Sequence, residues 1–394
     1  MTQNDTLKYG LILSGGGAYA AYEVGVMKAL FTGQSPATQY VPIDPSVIAG
    51  TSAGALNASL LMSVAGEPLT IAIKYMEDVW LNAIAEGPDK CGNGVLKFRI
   101  NLLDFFNPAC YREGPLAPLV ELTAGSAFLA GDLVRRGIQF MTSPLDIQQR
   151  ALETINVSAF ASIDRFICLL HDAVHLDAIR ASPRKVRIAA TNWRTGTLRM
   201  FENEDMTDDV GHKIVQASSA IPGLFPRVEI ASDPYVDGGL VMNTPLKPAI
   251  DAGAENLHII YVDPDAAHVP LPRLANTPHD LYRSLLIGFA AALKRDLDVA
   301  SRVNLAVATA GTRRGGVLKA SPGDKSMVPS TLEVGADGEP HRHLPMHLHH
   351  PYGTLEGGWL SFERSRLEKL ITQGFEDALR HDCAVNGCLL QEQA

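Results

Sequence analysis

An α/β fold, with a mostly parallel central sheet covered by helices on both faces, is predicted for this chain of 394 residues by three observations. Strand-like apolar runs alternate with helix-like amphipathic segments along most of the length, and several runs are apolar almost throughout, as strands buried on both faces are. Two of these runs, Leu11-Ile12-Leu13 and Val47-Ile48-Ala49, pass through a glycine-bearing turn straight into a helical pattern, the form of a strand–loop–helix unit whose loop opens at the carboxyl edge of a sheet. The composition, 46% hydrophobic, supplies a large core for a chain of this length.

Taken in order, a strand over 11–13 leads through Gly15-Gly16-Gly17 into a helix over 18–30, and an apolar run from 47 leads through Gly50-Thr51-Ser52-Ala53-Gly54 into a buried helix that continues to 65. Residues 69–85 repeat apolar side chains at helical intervals, with Lys74, Glu77 and Asp78 on the other face. The pattern breaks over 86–114, where Gly-Pro, Gly-Asn-Gly and Asn-Pro steps fall among aromatics. This insertion reads as a packed loop anchored by Phe98, Leu102, Leu103, Phe105 and Phe106, with a lid as the alternative. Helices are expected over 115–124 and 159–181, and a strand pair over 185–191 and 197–201, around Asn192-Trp193-Arg194-Thr195-Gly196. A helix over 208–219, short strands over 227–230 and 234–236, a helix over 245–252 ended by Gly253 and a buried strand over 256–262 follow. Beyond them stand a long helix over 278–310, a glycine-rich loop with one short strand over 311–338 and a charged amphipathic helix over 361–382.

Bulk properties exclude several classes. A net charge of −9 with no lysine or arginine run offers no footprint for nucleic acid. The five cysteines, Cys91, Cys110, Cys168, Cys383 and Cys388, are odd in number, scattered and without Cys-x-x-Cys spacing, so they read as reduced thiols. The first residues are polar, with no secretory signal, and the longest apolar stretches, 284–293 and 56–64, are about half of a bilayer span. A cytoplasmic address is expected, with any membrane contact peripheral and apolar. His341, His343, His347, His349 and His350 crowd into ten residues, but they alternate with Leu344, Met346 and Leu348 as in a half-exposed strand and have no carboxylate or cysteine at ligand spacing nearby. No metal and no cofactor are expected.

Three motifs carry chemistry. Gly50-Thr51-Ser52-Ala53-Gly54, between strand and helix, has the form of a nucleophile elbow, with Ser52 the nucleophile and Gly50 and Gly54 permitting the sharp turn. Gly15, Gly16, Gly17 and Ala18 form a loop whose backbone N–H groups suit an oxyanion hole. Asp237, in Asp237-Gly238-Gly239, follows a short strand and is held in a turn by the two glycines. In this order and spacing the three motifs resemble the patatin-like phospholipase family over 7–262, and Ala217-Ser218-Ser219-Ala220-Ile221-Pro222 resembles it as well. The resemblance implies a patatin-like fold and a Ser52–Asp237 dyad that hydrolyses lipid acyl esters, of the phospholipase A or lysophospholipase type, through an acyl-enzyme and without a metal. One departure is that Tyr19 and Ala20 stand where the family usually has Arg or Lys and then Gly. Tyr19, in the first turn of its helix, is expected to be partly exposed.

Residues 1–310 are assigned to one catalytic domain and 311–394 to a C-terminal appendage packed on it. Three other readings of these motifs compete with the patatin-like one. Gly15-x-Gly17-x-x-Ala20 satisfies a relaxed dinucleotide fingerprint, but no acidic residue ends the next strand. A Ser-Asp-His triad through His258 or His268 requires several strands before the nucleophile, and Ser52 has room for only one or two. A catalytically weak lipid-binding or scaffolding protein on the same fold is the non-enzymatic alternative. Oligomeric state and acyl donor are not legible in the chain.

Overall fold

The computed structural model describes residues 8–85, 94–95, 97–98, 117–142, 161–262, 277–314 and 343–390. Most of the 86–114 insertion and of the 311–338 loop lies outside these residues, as do His268, His341, Cys91 and Cys110. The strands are β1 (Tyr9–Leu13), β2 (Pro45–Thr51), β3 (Lys97–Phe98), β4 (Ala161–Ser162), β5 (Lys185–Asn192), β6 (Leu198–Phe201), β7 (Val228–Ile230), β8 (Asp233–Asp237), β9 (Asn256–Ile260) and β10 (Met346–His349). The helices are α1 (Ala21–Phe31), α2 (Ala53–Ser63), α3 (Leu69–Asp78), α4 (Ala117–Thr142), α5 (Asp164–Ala173), α6 (Leu176–Ala181), α7 (Gly211–Ser218), α8 (Leu246–Asp251), α9 (Thr277–Arg314), α10 (Arg364–Leu379) and α11 (Cys383–Asn386).

Five strands run parallel in the order β10-β9-β1-β2-β5. Their register places Leu13, Gly50 and Ile260 abreast, so the loops that follow β1, β2 and β9 leave from one edge of the sheet. Side chains alternate between two cores. Leu11, Leu13, Ile48, Val186 and Ile188 pack with the apolar residues of α1 and α2, whereas Ile12, Val47, Ala49, Leu257 and Ile259 pack with Leu246 and Ala249 of α8. Both faces of the sheet are therefore covered, and this is why its strands are apolar almost throughout.

The antiparallel end of the sheet sets up the site. Strand β6 pairs with Ile188–Thr191 of β5, which leaves the other edge of β5 to its remaining neighbours. Along that edge β2 pairs up to Thr51↔Ala189, and β8 takes over at Asp237↔Ala190. Since β2 runs with β5 and β8 against it, the carboxyl ends of β2 and β8 meet head to head. Residues 52 and 237, far apart in sequence, are brought together by consecutive positions of one strand.

Some elements differ from the sequence expectation. The helix expected over 159–181 is a short strand followed by α5 and α6, because the His175 N–H is taken by Ser63 Oγ (2.9 Å) and the chain turns at Val174-His175. The helix expected to end at 124 runs to Thr142. Strand β10 is not half-exposed, as its four residues are all buried. Helix α10 crosses α1 backbone to backbone at Gly25 and Gly374, where neither residue has room for a Cβ. No helix among the described residues is long and apolar enough to cross a membrane.

Candidate active site

The turn from β2 into α2 holds Ser52 at φ 55°, ψ −124°, a backbone conformation strained for a residue with a side chain. Gly50 faces the Gly54 carbonyl, and a Cβ on Gly54 would lie 2.5 Å from the Leu13 carbonyl oxygen, so only glycine permits the turn to fold this closely. Ser218 at the end of α7 locks it from behind. Its Oγ accepts the Ser52 N–H (2.9 Å) and donates to the Ala189 carbonyl (2.6 Å), tying the elbow to β5 through a fully buried hydroxyl. Thr51 Oγ1 donates to the Met242 carbonyl (3.0 Å).

Asp237 is 2% exposed and caps a turn of 3-10 helix, its Oδ1 accepting the Gly239 N–H at 2.7 Å. Its backbone is held on both sides: the N–H donates to the Ala220 carbonyl (2.9 Å), and the carbonyl accepts Thr191 Oγ1 (2.9 Å). Burial raises its pKa from near 3.8 to about 7, opposed by the Ser52 hydroxyl and the Gly239 N–H, which favour the anion. Ser52 interacts with the carboxyl without completing a hydrogen bond, and Oδ2 is buried with no partner. Loose contacts of this kind are common before substrate binds.

The glycine loop lies beside the pair, where a Cβ on Gly15 would stand 2.9 Å from Ser52 Cβ. The four donors expected from the sequence are not equivalent. Gly15 N–H donates to the Asn243 carbonyl (3.2 Å) and Ala18 N–H to the Trp359 carbonyl (2.6 Å). The Gly16 and Gly17 N–H groups have no acceptor among the described residues, and the same holds for Ala53 N–H at the start of α2. Among the described residues the N–H groups left free beside Ser52 are therefore those of Gly16, Gly17 and Ala53, the last at the positive end of a helix.

Two cavities open at Ser52. One is lined by the loop, Asp237, Asn243, Val262 and α9 residues Leu285, Leu286 and Phe289. The other, with about 670 Å³ of space that is partly open to solvent, is walled by Leu56, Trp80, Ile84, Phe166, Leu169, Phe225 and Phe362, with Gln216 and Ser219 as its polar members besides Ser52 among the described residues. Among the described residues no histidine lines either one. His258 instead stacks on His347, with ring centroids 4.8 Å apart, at the opposite side of β1 from β2.

A strap over 356–362 closes the loop from outside and was not identifiable as a site element from the sequence. The Gly357 carbonyl accepts Tyr19 OH (2.6 Å), the Trp359 carbonyl accepts Ala18 N–H, and Trp359 lines both cavities. Arg366 of α10 holds the strap through the Glu356 and Ser361 carbonyls, and its guanidinium lies 5.2 Å from the centroid of the Tyr19 ring. The only local signal was Gly357-Gly358-Trp359, a glycine pair before a tryptophan.

The expectation that Tyr19 is partly exposed is therefore corrected, since it is 7% exposed. A Tyr19→Arg side chain would meet Arg366 and leave the Gly357 carbonyl without its donor. Tyr19→Arg is expected to lower the Tm by several degrees and to depress hydrolysis of neutral and anionic esters alike. Tyr19→Phe, which loses only the hydroxyl contact, should cost about 1 kcal/mol in a denaturation experiment.

Among solved structures, VipD from Legionella pneumophila is similar at 15% identity and a TM-score of 0.39, over 95% of this chain and 66% of that one, so the chain spans a little under two thirds of its length. No curated protein sequence matches the chain. The family model described as patatin-like phospholipase matches residues 11–250, from the first strand past Asp237. With well over half of its length inside that match, the chain belongs to the patatin-like phospholipase family.

Proposed function

We propose that this protein is a serine acyl hydrolase that cleaves carboxylic ester bonds of lipids through Ser52 and Asp237. Family membership supports lipid acyl hydrolysis in general. The observation that carries the finer reading is a serine on a strained turn beside a buried carboxyl with a pKa of about 7, at the mouth of an apolar cavity.

In this reading the ionised Asp237 takes the Ser52 proton as Oγ attacks the ester carbonyl carbon. Charge developing on the carbonyl oxygen is met by the N–H groups of Gly16, Gly17 and Ala53, worth a few kcal/mol per donor in a water-poor site. The proton held by Asp237 passes to the departing alcohol, leaving Ser52 acylated. Asp237 then takes a proton from water as it attacks the acyl carbonyl, and passes that proton to Ser52 Oγ as the Oγ–acyl bond breaks and the fatty acid leaves. The apolar cavity accommodates the acyl chain, and the absence of lysine and arginine from its described lining favours that occupant over an anionic headgroup.

A fluorophosphonate probe tests the assignment, because it traps only an activated serine in a mimic of the tetrahedral intermediate. Peptide mapping should place the adduct on Ser52, with slower labelling in Asp237→Asn. An adduct on Ser14, Ser218 or Ser219 would overturn the assignment.

A further inference from the structure

The histidine-rich edge of the sheet is not used by this chemistry. Strand β10 supplies His347, the turn after α10 supplies His381, and the short helix α11 brings Cys383 at its start and Cys388 just past its end. Cys383 Sγ lies 3.6 Å from His347 Nδ1 and 3.4 Å from His381 Nε2, and Cys388 Sγ lies 3.3 Å from the same His381 nitrogen. One donor atom from each of the four residues falls within 4.8 Å of all the others. Both cysteines are free thiols.

We propose that His347, His381, Cys383 and Cys388 form a closed, tetrahedral zinc site that fastens the C-terminal segment to the edge of the sheet. The distances fit the ion. With Zn–S near 2.3 Å and Zn–N near 2.0–2.1 Å, a tetrahedral angle separates sulfur from nitrogen by about 3.6 Å. Three of the edges already lie at or just below that length. Two thiolates and two imidazoles in a tetrahedron are the donor set that selects zinc over the harder magnesium and calcium ions.

The surroundings suit a structural metal. Leu348 N–H points at Cys388 Sγ (3.2 Å), and Leu389 exchanges two backbone hydrogen bonds with Met346, both 2.9 Å. Asp382 caps α11 through the Ala384 N–H, and Gly387 takes the left-handed turn that returns Cys388 toward the strand. The rings of His258 and His349 wall the inner side, at 4.8 Å from His347 and 4.6 Å from His381. Four protein donors leave no open position for a substrate or water, and none of the four lines a cavity at Ser52. The sequence expectation of no metal rests on the lack of a carboxylate or cysteine at ligand spacing and on the alternation of the histidines with Leu344, Met346 and Leu348. The two thiols enter only because α10 runs its length and turns back.

The site anchors the far end of the helix whose Arg366 grips the strap over the glycine loop. Zinc therefore acts on stability and on the order of the strap, not on bond cleavage. Full-length protein produced with zinc should contain about one zinc per chain by elemental mass spectrometry. Cobalt added to chelator-stripped protein should give the visible bands of a tetrahedral ion and thiolate charge transfer in the near ultraviolet. Stripping should lower the Tm, and added zinc should restore it. Cys383→Ser with Cys388→Ser should lose the metal and the charge-transfer band, while the exposed Cys168→Ser keeps both. Because the double variant could misfold, the cobalt spectrum of the wild-type chain decides independently. A folded wild-type protein that takes up neither metal, a full zinc content in the double variant, or a Cys383–Cys388 disulfide in freshly isolated protein would each overturn the site.

Discussion

Ser52→Ala is expected to lower ester hydrolysis by on the order of a thousandfold or more, Asp237→Asn by a similar factor, and the double variant to be little worse than either. The reason is that in the proposed mechanism the two groups perform one event. Without the carboxylate the hydroxyl keeps its proton, and without the hydroxyl the carboxylate has no nucleophile to activate. Initial rates on a neutral chromogenic ester would measure the cycle, with labelling by the fluorophosphonate as an activity-independent check. Residual activity near the wild-type level in either single variant would refute the dyad, and so would losses that multiply in the double variant. His258→Ala is expected to retain most of the activity, since His258 sits with the histidine cluster and not at either cavity of Ser52.

The second large effect is on pH. Because burial raises the Asp237 pKa to about 7 and the base of the proposed mechanism must be ionised, kcat/KM should rise with pH and level off above about 7. A profile already flat at pH 5 would show that a different group limits the rate. Stability should move the other way. The unfolded chain loses this proton near pH 3.8 and the folded chain holds it to about 7. The stabilisation linked to the bound proton is thus complete below pH 3.8 and is lost as pH rises through 7, amounting to on the order of 4 kcal/mol by pH 8. Asp237→Asn cannot ionise, and its amide oxygen can still accept the Gly239 N–H. Its Tm relative to wild type should therefore increase from pH 5 to pH 8 by several degrees, in a protein that has lost its activity. A constant Tm difference across that range would contradict a buried, raised carboxyl.

The local parts of the molecule were written in short stretches of sequence, and the sequence alone determined them. Continuous apolar runs specify strands buried on both faces, and the structure has them in a mostly parallel sheet between two cores. Gly50-Thr51-Ser52-Ala53-Gly54 and Asp237-Gly238-Gly239 specify their own turns, because close backbone approach and a side-chain cap are contacts within a few residues. What lay beyond the sequence depends on contacts between distant segments. That β2 and β8 share one edge of β5, and so bring Ser52 to Asp237, follows from pairing register, which no local pattern encodes. The choice of Gly16 and Gly17 over Gly15 and Ala18 as free donors depends on the carbonyls of Asn243 and Trp359, more than two hundred residues away. Tyr19 looks exposed on its own helix and is buried only because the 356–362 strap and Arg366 close over it. His347 meets Cys383 and Cys388 for the same reason. Spacing along a chain predicts neighbours within a turn of helix or strand, whereas burial and donor availability are properties of the packed whole, where a backbone group from the far end decides what remains free to do chemistry.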